Sequence, residues 1–182
     1  APDSISYGLV RLKIAEIYGA NSNHENAKSS YLDAIKTFKL GASRTDSIYL
    51  SNSYINYGDY FLILETYDSA LHYFDLASPI ATSLNRSYDL AMIQGNIAIV
   101  QAGLGNINES EKKILDAIEY LDNYGDFSAV SIYLTYLADI YFQKNLLEKA
   151  VSYARRSLNF AEKDGLKEGI RDASLKLSEL HE

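Results

Sequence analysis

The sequence has 182 residues, 47% hydrophobic and 23% charged, with 17 Lys+Arg against 24 Asp+Glu. This is the balance of a folded globular chain, and its net charge of −7, with no run of cations longer than Arg155-Arg156, argues against nucleic acid as a partner. Cysteine is absent, which excludes disulfides, thiolate metal sites and cysteine nucleophiles; no stretch nears the roughly 18 apolar residues of a membrane span, and no signal peptide is visible.

In chain order the sequence alternates first and second helices. A first helix near 4–20 carries Ile14-Ala15-Glu16-Ile17-Tyr18, a small residue set after a large apolar one. A second, near 24–40, places Ala27, Tyr31 and Ala34 on one face. Small-large-small at i, i+4 and i+7 lets a neighbouring helix approach closely. Both phrases return. Tyr57-Gly58-Asp59-Tyr60-Phe61, near 44–65, precedes Ala70, Phe74 and Ala77, near 67–84. Ile97-Ala98-Ile99-Val100-Gln101, near 87–104, precedes Ser110, Ile114 and Ala117, near 108–123. Leu137-Ala138-Asp139-Ile140-Tyr141, near 127–144, precedes Ala150, Ala154 and Ser157, near 147–163. The small residue of the first helix thus falls at 15, 58, 98 and 138, and a further 40 residues reach Ser178 in a last helix near 167–181. Acids and amides at Asn23-His24-Glu25, Thr66-Tyr67-Asp68, Asn106-Ile107-Asn108 and Asn145 to Glu148 are expected to cap and charge the second helices. Gly41 and Gly165 are expected past helix ends.

These paired phrases resemble the tetratricopeptide repeat family over essentially the whole chain. The resemblance implies an all-α fold, a right-handed α-α superhelix of four helix pairs plus a C-terminal helix. The repeats fall near 8–41, 51–84, 91–123 and 131–164 in a single solenoid, with a partial fifth repeat or cap over 167–182. Two departures stand out: the family tryptophan is missing, and the period of 40 exceeds the usual ~34, so each helix gains about one turn. Repeats of this length are similar to the sensory regions of bacterial signalling proteins, histidine kinases and transcription regulators among them. That leaves cytoplasm and periplasm both open. The last helix reads either as a cap or as half of a further repeat, and its apolar Leu175 and Leu180 raise the alternative of a scaffold that self-associates. A small-molecule sensor is a third reading.

In the family, ligands lie along the concave face, so the resemblance implies lining positions two residues before and one after the small residue. The first set is Lys13, Asn56, Asn96, Tyr136 and Lys176; the second is Glu16, Asp59, Ile99, Asp139 and Glu179. Asn56 and Asn96 are the expected holders of an extended peptide backbone, since one amide offers both donor and acceptor. Asp59 and Asp139 favour a basic partner, and Lys13 and Tyr136 complete the expected peptide-binding face. Most of the 16 tyrosines are expected between helices, with Tyr54, Tyr60, Tyr133 and Tyr136 bordering the groove. His24, His72 and His181 lack ligand spacing, Gly103-Leu104-Gly105-Asn106 is a turn and not a phosphate loop, and no nucleophile–base set is present. The expected function is therefore non-catalytic binding of a protein or peptide, with no cofactor or metal.

Overall fold

The structure, a computed structural model, describes residues 4–165 and 167–180. Among them nine helices follow one another: α1 (Ser4–Ala20), α2 (His24–Leu40), α3 (Arg44–Ile63), α4 (Tyr67–Ser83), α5 (Ser87–Gly103), α6 (Ile107–Tyr124), α7 (Phe127–Gln143), α8 (Leu147–Asp164) and α9 (Lys167–Glu179). No strand occurs among these residues. The observed ends fall within two residues of those the repeat pattern predicts. His181 lies outside the described residues.

The hairpin turns are made differently from the sequence expectation. Asn23, Thr66, Asn106 and Leu146 stand at the N-cap positions of α2, α4, α6 and α8, yet none makes a side-chain cap hydrogen bond. The preceding helix supplies the closure instead. One residue per turn takes the left-handed conformation, as Ser22, Glu65, Gly105 and Asn145 do. The next backbone N–H then donates five residues back, from Asn23 to Tyr18, Thr66 to Phe61, Asn106 to Gln101 and Leu146 to Tyr141, each at 2.9 Å. Carbonyls orphaned at a helix end are satisfied this way without any side chain. True caps lie elsewhere. Ser43 and Asp46 form a reciprocal capping box on α3, and Asp126 accepts from the Ala129 N–H at 2.9 Å on α7. Gly41 is extended rather than left-handed; a Cβ there would meet the Asp46 carboxyl at 2.1 Å, so the glycine makes room for the box.

The described chain forms two compact units, Ala1–Ile93 and Gln94–Glu182, divided within α5. In the first, α1 packs on α2, α2 on α3 and α3 on α4. The small residues Ala15, Ala27, Ala34, Ala70 and Ala77 are all fully buried, and a Cβ on Gly58 would come within 2.5 Å of the Phe74 ring. Close approach of helices leaves space that rings fill. Tyr31 stacks on Tyr57 at 4.7 Å, Tyr57 meets Tyr73 at 4.4 Å, and Phe61 stacks on Tyr73 at 5.7 Å. Tyr54 belongs to this core and is buried, and it lines neither of the cavities described below. Pro79 sits inside α4, where it removes the N–H that would serve the Asp75 carbonyl; both residues are exposed, so water is at hand.

In the second unit α6 packs on α7, α7 on α8, and α9 on both α8 and α7. Ala98, Ala138, Ser110, Ala150, Ala154 and Ser157 are fully buried, and Ser157 exchanges hydrogen bonds with Ser131. Leu180 enters a cluster with Ala138, Tyr141, Ala150 and Ala154 and is only 8% exposed. The expected apolar edge of the last helix is thus reduced to Leu175. Ser178 is exposed, unlike its four counterparts, because no described second helix packs over α9.

Candidate functional site

The expected lining residues separate into those that open on a groove and those the core consumes. In the first unit, α1, α3 and the first turns of α5 bound two adjoining cavities of ≈ 410 and ≈ 460 Å³. The first is walled by Tyr31, Tyr60, Ile63 and Leu64, and the second by Lys13, Asn52, Arg86 and Asp89 with apolar neighbours. Glu16, Asn56 and Asp59 line both. Helical spacing explains the convergence: Asn52, Asn56 and Asp59 lie at i, i+4 and i+7 on α3, while Lys13 and Glu16 lie one turn apart on α1.

The polar groups of this groove are tied to one another. Lys13 Nζ donates to Glu16 Oε2 at 2.9 Å, and Asn56 Nδ2 donates to Glu16 Oε1 at 3.3 Å, so the Glu16 carboxylate is held from both sides. Arg86 forks onto Asp89, which is buried. Burial pushes Asp59 from its ordinary value of 3.8 up to about 7. The Tyr31 hydroxyl titrates well above its ordinary value, first through burial and then through the negative charges of Glu16 and Asp59. Both carboxylates therefore act on one small volume above a tyrosine. Tyr60 is buried beside it, and its hydroxyl hydrogen-bonds His24 Nδ1 at 2.8 Å.

In the second unit the expected residues are placed otherwise. Asn96 is 3% exposed, and its Oδ1 accepts from the Tyr133 hydroxyl at 2.6 Å. Contrary to the sequence expectation, this amide and this ring form a buried polar pair, because Gly95 lets Tyr133 lie against α5; a Cβ there would be 2.5 Å from the ring. Asp139 is half-buried and bonded by Lys176 Nζ at 2.6 Å, which also reaches Glu179 at 2.5 Å. Burial raises the Asp139 pKa against the pull of Lys176. For Lys176 burial works downward, but its bonds to Asp139 and Glu179 hold it above its ordinary value. Asp139 thus has a cation from α9 already. Tyr136 is half-buried on the same helix.

Sequence reasoning overlooked Asn52, Arg86 and Asp89. Asn52 had a readable signal, since it precedes Asn56 by one helical turn. Arg86 and Asp89 had none, because a turn and a helix start lie outside the repeat phrase. Among the described residues no group of three or more His, Asp or Glu is placed to hold a metal ion, and no helix is long and apolar enough to cross a membrane.

Stacked helical hairpins, with small residues at the crossings and a polar groove along the first helices, define an α-hairpin repeat protein, a class whose members bind other molecules along their surfaces. The tetratricopeptide repeat family model matches residues 133–164, which lie in α7 and α8. Solved structures agree in fold. Aspartyl phosphate phosphatase F from Bacillus subtilis superposes with a TM-score of 0.74 at 16% identity, covering 98% of this chain and 46% of that one. BtubC (BKLC) from P. vanneervenii gives 0.69 at 19%, covering 98% and 74%. A signal transduction ATPase with numerous domains from Pyrococcus horikoshii, with a tetratricopeptide repeat sensor, gives 0.65 at 22%, covering 96% and 26%. At these identities the likeness is one of fold, and this chain spans less than half of the phosphatase. No curated protein matches the sequence.

Proposed function

We propose that this chain is a non-catalytic binding module whose groove between α1, α3 and the start of α5 holds an extended protein segment bearing lysine or arginine. The observation that carries the reading is the sharing of Glu16, Asn56 and Asp59 by both cavities. Amides one turn apart, Asn52 and Asn56, can pair with successive peptide groups. The two carboxylates attract a cationic side chain, and the walls of Tyr31 and Tyr60 suit its alkyl stem. Asn96 contributes less because it is buried against Tyr133, and Asp139 because the charge of Lys176 lies against it.

Such repeats generally mediate protein–protein contacts. The Pyrococcus horikoshii ATPase carries them as a sensor, which supports a place for this module as the sensory or regulatory part of a larger signalling protein. The test is selection of binders from a random peptide library, followed by calorimetric titration. Selected peptides are expected to carry lysine or arginine, and Asn56→Ala or Asp59→Asn to weaken them about tenfold, about 1.4 kcal/mol. Binders without a cation, or affinity indifferent to Asn56→Ala, would refute the reading. The ≈ 410 Å³ ring-walled cavity also has the size of a small-molecule site. A metabolite that raises the melting temperature and is displaced by the Asp59→Asn change would favour that use instead.

A further inference from the structure

The face of α1 turned away from α2 has counterparts on α3 and α7. Counted from the small residue of each first helix, it holds the positions eight, five and one before it and two after it. In α3 these are Leu50, Ser53, Tyr57 and Tyr60, the last three no more than 6% exposed. In α7 they are Val130, Tyr133, Leu137 and Ile140, none above 8%. What covers this face of α3 is the preceding second helix: the Tyr31 ring of α2 lies 4.7 Å from Tyr57 and 5.6 Å from Tyr60. On α7 the helix packed in the same order is α6.

In α1 the same four positions hold Tyr7, Val10, Ile14 and Ile17. All are apolar, yet Tyr7, Val10 and Ile17 are 51%, 56% and 53% exposed. The inner face of α1 is already filled by α2, with Ala15 fully buried, Leu12 6% exposed and the Phe38 ring pressed against Gly8. Alternation of three and four residues gives one continuous stripe, the pattern of a helix face meant for a partner helix.

We infer that this face takes the second helix of a further hairpin stacked in series, an amphipathic helix with large apolar residues at i and i+7. Tyr31 and Phe38 play those parts in α2, meeting Tyr57 and Tyr49 of α3. Within this chain the equivalent face of α3 is covered by the second helix of the preceding hairpin, which favours a helix in series over a second copy of this chain.

The inference can be tested with the chain's own helix as the occupant. A copy of residues 4–46 placed directly ahead of Ser4 keeps the 43-residue spacing between Ala15 and Gly58, and sets a second α2 against α1. The extended chain is expected to melt at least ~5 °C higher than the original. Val10→Glu should abolish that gain, while in the unextended chain it should shift the melting temperature by no more than ~2 °C, as exposed positions do. Val10→Ser should give the same pattern more weakly. An extension without gain, or a Val10→Glu effect equal in both chains, would overturn the inference. So would a dimer of the unextended chain in sedimentation that Val10→Glu dissociates, since the occupant would then be a second copy.

Discussion

Replacing Asp59 with asparagine should make the fold more stable at neutral pH and less able to bind a cation. Burial raises the folded-state pKa of Asp59 from 3.8 to about 7. Between those values the unfolded chain has released the proton and the folded chain still holds it. Stability therefore falls as pH rises through that window, and is level above it. At about 1.36 kcal/mol per unit the shift sets a ceiling of roughly 4 kcal/mol. Water reaching a half-buried carboxylate reduces this, so an effect of about 1–2 kcal/mol is expected. The groups facing Asp59 across the groove are Glu16 and Lys13 on α1, Tyr31 on α2, Asn56 and Tyr60 on α3, and Arg86 and Asp89 at the start of α5. Urea denaturation followed by circular dichroism at pH 4.5 and pH 8 measures the difference. Asp59→Asn should match the parent at the lower pH and exceed it at the higher one. A difference that does not change with pH would show that Asp59 ionises normally, and the cause assigned to its shift would be wrong.

Other outcomes follow from packing and caps. Gly58→Ala drives a methyl into the Phe74 ring and should cost about 1–3 kcal/mol; adding Phe74→Leu should return part of it in a double-mutant cycle. Tyr133→Phe removes the donor to Asn96 Oδ1 and should cost about 1–3 kcal/mol in chemical denaturation, the penalty of a buried acceptor left short of its partner. Ser43→Ala breaks the capping box and should cost ~1 kcal/mol, whereas Asn23→Ala should be near neutral, since Asn23 makes no cap bond. Glu65 holds φ +53, so Glu65→Gly should raise stability by about 1 kcal/mol in the same assay.

The helices and their order could be read from the sequence because both signals are local and repeated. A small residue every 40 or so positions, with a small-large-small stripe after it, fixes where helices cross. Those residues are fully or almost fully buried in all four pairs. Likewise Glu16, Asn56 and Asp59 follow from register alone, since residues at fixed offsets from a crossing share a face. Tertiary structure decided the rest. Register placed Asn56 and Asn96 identically, but Gly95 admits the Tyr133 ring and so turns Asn96 into a buried acceptor, while Asn56 stays at the groove. It placed Asp59 and Asp139 alike as well. Only the position of α9 gives Asp139 a lysine, and only the rings and helices around Asp59 raise its pKa. A repeat pattern specifies which face a residue occupies; what reaches that face from distant sequence depends on side-chain volumes and helix ends that differ from pair to pair.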